Sequence, residues 1–161
     1  MDLYHGSTSL VKAPEIRSSE TYLDFGPGFY TTSSYEQAER WARIKMRREG
    51  KQIGYVAKYA FDAEGAKQAL HMRRFSAADQ TWLMFVVRNR RGEPSAEQFD
   101  MHIGPVADDN VYQSIRLFET GVLNEEETVR RLKTEVLHDQ WTFYTGKALQ
   151  FCRFLGAQEV K

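Results

Sequence analysis

Three short blocks at the start constrain this chain more than anything after them. Leu3-Tyr4-His5-Gly6-Ser7 is followed by Asp24-Phe25-Gly26-Pro27-Gly28-Phe29-Tyr30-Thr31-Thr32, and then by a run carrying Ala38 and Trp41. Leu3 to His5 reads as a short strand that enters a turn at Gly6-Ser7-Thr8. Gly28 to Thr32 is aromatic and β-branched and is bounded by Gly26-Pro27 and Ser33-Ser34, which predicts a second strand. Ser34 and Gln37 have the spacing of a capping box, so a helix is predicted from there to about Arg48, closed by Gly50. Ala38, Trp41, Ala42 and Lys45 then share one helix face. Such an order can bring His5, Gly6, Tyr30 and Trp41 together as a clamp for a flat ring.

The rest of the chain alternates strand and helix signals. Residues 8 to 24 lack periodicity and read as a loop with one short extended piece. Ile53 to Phe61 alternates as a strand, with Tyr55, Ala57 and Tyr59 on one side. Ser76 to Arg90 is predicted helical, with Trp82, Phe85, Val86 and Asn89 in one stripe, ended by the turn Arg91-Gly92-Glu93-Pro94. Phe99 to Ile103 reads as a strand entering the loop Gly104-Pro105-Val106-Ala107-Asp108-Asp109. A helix holding Val111, Ile115 and Phe118 starts at Asp109 and ends at Gly121. Asn124 caps another, from Glu125 to about Val136, whose acidic start and basic end suit the helix dipole. Strand Gln140 to Tyr144, helix Gly146 to Leu155 and a short strand near Gln158 to Val160 complete the chain. With no repeat, low-complexity tract or linker, residues 1–161 read as a single α+β domain.

Composition closes off several functions. The 161 residues are 42% hydrophobic, with 22 basic and 22 acidic side chains, so there is a real core and no global footprint for nucleic acid or an anionic membrane. The basic clusters Arg43/Lys45/Arg47/Arg48/Lys51 and Arg88/Arg90/Arg91 read as solvated helix faces or ends, with a lean toward a phosphate-bearing target. Cys152 is the sole cysteine and lies in an apolar run, so it reads as a small core residue in a reducing, cytoplasmic setting. No apolar stretch approaches the ~18 residues of a membrane span, and the start lacks a signal-peptide pattern. His5, His71, His102 and His138 have no zinc spacing, so no metal is expected. A Walker loop, a Rossmann fingerprint and a serine elbow are all absent.

The N-terminal constellation remains. Singly, His5 reads as a core or turn histidine, and Tyr30 and Trp41 as core aromatics. Jointly with Gly6, whose missing Cβ lets a flat ligand or its amide approach the backbone, they read as a binding site. A carboxamide can accept from the Gly6 N–H and donate to its C=O, and Tyr30 and Trp41 can sandwich a ring.

These residues resemble the histidine-type ADP-ribosyltransferases, the branch of the poly(ADP-ribose) polymerases and diphtheria-type toxins. His5-Gly6-Ser7 is similar to that branch's His-Gly-(Ser/Thr), and Gly26-Pro27-Gly28-Phe29-Tyr30 to its Gly-x-Gly-(Ile/Phe)-Tyr strand. The resemblance implies a split mixed/antiparallel sheet flanked by helices and NAD as co-substrate. It implies that His5 bonds a ribose hydroxyl and Gly6 holds the nicotinamide amide, with Ser7, Gly28 and Phe29 around them. It makes Tyr30 and Trp41 the ring walls and Ala38 the small residue against nicotinamide. The family's late carboxylate falls at Gln140. The whole chain also resembles small bacterial toxin-like members, which share the Gly-Pro-Val-Ala-Asp-Asp loop and the Gln-x-x-Phe strand. For those, a phage-defence or toxin role and a partner antitoxin are implied.

Cleaving the nicotinamide–ribose bond develops positive charge on the ribose, which a carboxylate stabilises. Gln140 offers a carbonyl oxygen without charge, and losing such a partner costs about 10²–10³ in rate. Three readings follow. Gln140 suffices for a slow mono-ADP-ribosyltransferase; Asp108 or Asp109 supplies the carboxylate, although Asp109 reads first as a helix cap; or the domain binds NAD or ADP-ribose without turnover. The acceptor, whether protein, nucleic acid or small molecule, is left open.

Overall fold

The computed structural model describes residues 1–16, 23–93, 97–106, 109–133 and 137–161. The protein is a mixed α+β structure with two sheets and, among the described residues, six helices. The first sheet is antiparallel and three-stranded. Its middle strand is β3 (Gly54–Phe61), flanked by β1 (Asp2–Ser7) and β7 (Cys152–Val160). The second has the order β2 (Phe29–Thr31), β6 (Asp139–Phe143), β5 (Met101–Pro105), β4 (Met72–Arg74), with only β4 and β5 parallel. Among the described residues one backbone bridge joins the sheets, where Tyr4 and Thr32 exchange hydrogen bonds of 2.8 and 3.0 Å.

Three apolar clusters hold this together. Leu3, Tyr59 and Phe61 of the first sheet pack against Phe29, Met101, Trp141 and Phe143 of the second. Helix α1 (Tyr35–Glu49) covers the opposite face of the first sheet, burying Ala38, Ala42 and Met46 on Val56 and Val160. Helices α3 (Gln80–Arg90), α4 (Asp109–Glu119) and α5 (Glu125–Leu132) enclose Phe25 and Phe75 with Trp82, Val86, Val111 and Ile115.

Local signals set several boundaries. Ser34 caps α1 by accepting from Gln37 N, and Gly50 ends it in the left-handed region at φ 63°. The reciprocal half of the expected capping box is replaced, because Ser34 N donates to Thr32 Oγ1. Asn124 and Glu127 form the complete box on α5.

Elsewhere tertiary pairing overrides the sequence pattern. Gly146 to Leu155 is not one helix: α6 (Gly146–Leu149) is a single turn, and Cys152 onward is nine residues of strand on β3. The run Phe151 to Leu155 is apolar enough for either state, and the Tyr59–Phe154 edge-to-face contact at 5.9 Å favours the sheet. Helix α3 starts at Gln80, not Ser76, because the Asp79 side chain caps it through Trp82 N. The short helix α2 (Ala63–Ala69) and strand β4 carry no sequence signal strong enough to be expected. Among the described residues no helix is long and apolar enough to cross a membrane.

Candidate functional site

Beyond the Tyr4–Thr32 bridge, β1 and β2 diverge, and a cleft of about 1020 Å³ opens beside the seam. His5, Gly6, Ser7, Gly28, Phe29, Tyr30, Trp41 and Gln140 all line it. Eight residues from four separate elements and one turn thus meet in one place.

His5 is fixed from two sides. Its ring stacks on Phe29 at 4.5 Å between centroids, and Nδ1 lies 2.6 Å from the Tyr30 carbonyl. A carbonyl only accepts, so Nδ1 carries the hydrogen and Nε2 keeps its lone pair. Burial, aided by the nearby Lys45 ammonium, pushes the imidazole pKa down to about 3 against the weaker pull of the Tyr30 carbonyl. His5 is therefore a neutral acceptor at any physiological pH, suited to a hydroxyl donor such as a ribose.

Gly6 has a different reason to be glycine from the one expected. A Cβ there would lie 1.8 Å from Ala38 O and 2.8 Å from Ala42 N, so the residue is set by the close approach of α1. Its backbone polar groups nevertheless face the cleft side. Tyr4 turns its N–H and C=O away from β3 toward Thr32, and two residues on, Gly6 repeats that orientation. The Gly6 carbonyl already accepts from Lys45 Nζ at 3.1 Å. Ala38 is fully buried beneath Gly6 and does not line the cleft, which corrects its expected place as a wall against the ring. Gly28 is likewise a packing glycine, since a Cβ would meet Phe143 O at 2.6 Å.

Of the two aromatic walls, Tyr30 is anchored by hydrogen bonds. The Tyr30 hydroxyl donates to Gly26 O and accepts from Phe25 N at 3.2 Å, closing the Gly26-Pro27-Gly28 turn, where Gly26 holds φ 75°. Burial pushes its pKa up, so the phenol stays neutral. Trp41 stands on α1 one residue before the buried Ala42, half-buried at the cleft. Ser7 lines the same edge, its hydroxyl 3.4 Å from Ser9 N.

Gln140 projects from β6 opposite Gly104 and is 3% exposed. Its Nε2 has no hydrogen-bond partner among the described residues. The same holds for Thr142 Oγ1 and both ring nitrogens of His102, which share its sheet face. A buried amide nitrogen without a partner is costly, and the residue that carries it lines the cleft. Asp108 lies outside the described residues. Asp109 is the first residue of α4. The Asp139 carboxylate, next to Gln140, is tied down by Thr32, Ser33 and Trp141 and held below its usual range, although burial opposes this.

Several lining residues carry no motif. Lys45 and Arg48 leave the basic run of α1 and face the cleft, correcting its reading as a solvated face throughout. Also lining the cleft, Asp24 and Arg90 pair at 2.5 Å, both mostly buried, and Tyr112 and Arg116 follow on α4. The helical spacing of Tyr112, Arg116 and Glu119, in a stripe beside the buried Val111 and Ile115, is the signal by which the α4 wall could be found. Cys152 is outside the cleft, and burial pushes its thiol up to about 12, which makes it unreactive. Among the described residues no group of three or more His, Cys, Asp or Glu could hold a metal.

Fold and site together define a mixed α+β protein with a large aromatic and polar cleft at the seam of two sheets. The chain belongs to the DUF3990 family, described as a protein family of unknown function, whose profile matches residues 1–154. No curated protein and no solved structure matched it.

Proposed function

We propose that this protein is an NAD-dependent mono-ADP-ribosyltransferase with the split-sheet fold of that superfamily. The carrying observation is the meeting of His5, Tyr30, Trp41 and Gln140 in one cleft, with the outward edge of Gly6 between them. A volume of about 1020 Å³ is at the upper end for small-molecule sites and suits a dinucleotide.

In this reading NAD lays its nicotinamide between Tyr30 and Trp41. The Gly6 N–H donates to the carboxamide oxygen, and Lys45 gives up the Gly6 carbonyl to the amide. His5 Nε2 accepts from a ribose hydroxyl. As the nicotinamide–ribose bond breaks, the Gln140 amide oxygen stabilises the developing charge. A neutral amide stabilises that charge less than a carboxylate, so turnover is slow, by about 10²–10³. One ADP-ribosyl unit is transferred, since no charged Glu stands at 140 to activate the next hydroxyl. The toxin-like resemblance extends the proposal to a bacterial cytoplasmic effector paired with an antitoxin.

The second reading is a non-catalytic NAD or ADP-ribose binder. It is favoured by the uncharged Gln140 and by the Lys45 contact on the Gly6 carbonyl. Incubation of a cell lysate with isotope-labelled NAD separates the two. A transferase gives label in a macromolecular fraction that His5→Ala and Gln140→Ala both abolish. A binder gives no label and no nicotinamide release, yet an NAD-dependent thermal shift that Gln140→Ala leaves mostly intact. Absence of both label and shift sinks the proposal.

A further inference from the structure

The part of the cleft lined by α3 and α4 has a composition of its own. Tyr112 lines the cleft and yet is 47% exposed, an unusual state for a large aromatic. One side of its ring is covered by the Arg90 guanidinium, 4.6 Å from the centroid. Arg90 is itself held in place: Nε donates to Asp24 Oδ1 at 2.5 Å, and the Asp24 carbonyl accepts from Asn89 Nδ2 at 3.1 Å. The result is a layered cation–ring stack whose lower layer is rigid. Arg116 lies one helical turn beyond Tyr112 and lines the same cleft.

From these residues we infer that the acceptor is a single-stranded nucleic acid, with a base stacked on Tyr112 and its phosphate at Arg116. The inference rests on the transferase reading for its chemistry. A flat hydrophobic ring backed by a fixed guanidinium, with a cation one turn away, matches a base and its backbone phosphate. The acid in the stack, Asp24, is already paired with Arg90, and beyond it Arg116 lines the cleft together with Glu119. A peptide acceptor has no comparable need for a stacking ring beside a cation. In the transfer, a base nitrogen or oxygen forms the bond to the ribose carbon as the bond to nicotinamide breaks. Nicotinamide leaves with the electron pair, and the acceptor's proton passes to solvent.

The test begins without NAD. Mixed-sequence single-stranded RNA and DNA of about 12 nucleotides, within the site sizes of single-strand binders, are titrated by fluorescence anisotropy at two salt concentrations. The expected result is salt-dependent binding that Tyr112→Ala weakens by roughly five- to a hundredfold and Tyr112→Phe retains. Arg116→Gln should lower the salt slope by about 0.7, one phosphate contact. Absent binding, or equal binding by Tyr112→Ala, overturns the inference, as does lysate label that resists nuclease and yields to protease. NAD thermal shifts on the same samples keep the two proposals apart. Lost shifts with retained oligonucleotide binding sink the transferase and leave the nucleic-acid wall standing.

Discussion

Phe29, Met101, Ile103, Trp141 and Phe143 project from one face of the four-stranded sheet, and Tyr30, His102, Gln140 and Thr142 from the other. The first face meets the three-stranded sheet in a closed apolar layer, with ring pairs such as Phe61–Trp141 at 5.5 Å and Phe61–Phe143 at 5.7 Å. The second carries four buried polar atoms without a partner among the described residues. Folding alone selects for the first arrangement, because apolar area is hidden and nothing is left unpaired. It selects against the second, at about 1–3 kcal/mol for each unpaired group. A chain that keeps such a face next to a large cleft is shaped there by something other than stability.

Gly6 sits where the two demands meet, and its substitution gives the largest effect. Gly6→Ala puts a methyl group into the α1 backbone, which cannot yield as a flexible side chain would. A loss of about 3 kcal/mol is expected, read from the urea midpoint, together with loss of NAD binding. If Gly6→Ala keeps its stability and loses only NAD binding, the glycine serves the ligand, and the packing account given above is wrong.

Acid should weaken the protein through its neutral histidines. Burial first, then Lys45, holds His5 down to about 3; burial first, then Arg73 and His71, holds His102 down to about 4. In the unfolded chain both titrate near 6.5. Below that pH the unfolded state binds more protons than the folded one. Stability is thus complete above 6.5 and falls as pH drops toward 4, by at most about 1.4 kcal/mol per pH unit for each histidine. Urea unfolding between pH 7 and 4.5 measures the slope, and His5→Gln should remove one histidine's share. A slope unchanged in His5→Gln would mean that His5 protonates in the folded state.

How far the sequence reveals these features depends on how local their causes are. The Ser34 cap, the Gly50 stop and the Asn124 box lie within a few residues of the bonds they make, so they can be read from the chain. The gathering of His5, Tyr30, Trp41 and Gln140 is legible only as a motif order, because the Tyr4–Thr32 bridge that aligns them joins distant segments. The strand at Cys152–Val160 depends on pairing with β3, and an apolar run gives no sign of that choice. Gly6 looks like a ligand glycine in sequence because nothing local shows Ala38 O pressed against it. Lys45 shares a helix face with Trp41, but Arg90 and Tyr112 belong to no motif, and only the packing of α3 and α4 turns them toward the cleft.

The smallest effect separates the two sheet faces most cleanly. Thr142 lies at the centre of the polar face, opposite Tyr30 on β2 and His102 on β5. It is fully buried, and its hydroxyl has no partner among the described residues. Valine has the same branched shape, suits a strand and carries no polar atom to leave unpaired. Thr142→Val should therefore gain about 1 kcal/mol in urea unfolding, whereas on the apolar face Phe143→Ala can only lose. A destabilised Thr142→Val would show that the hydroxyl is satisfied in solution, and the contrast between the faces would then rest on Gln140 and His102. A gain accompanied by weaker NAD binding would sharpen it further, since the polar atom would then be paid for in stability and used only when the cleft is filled.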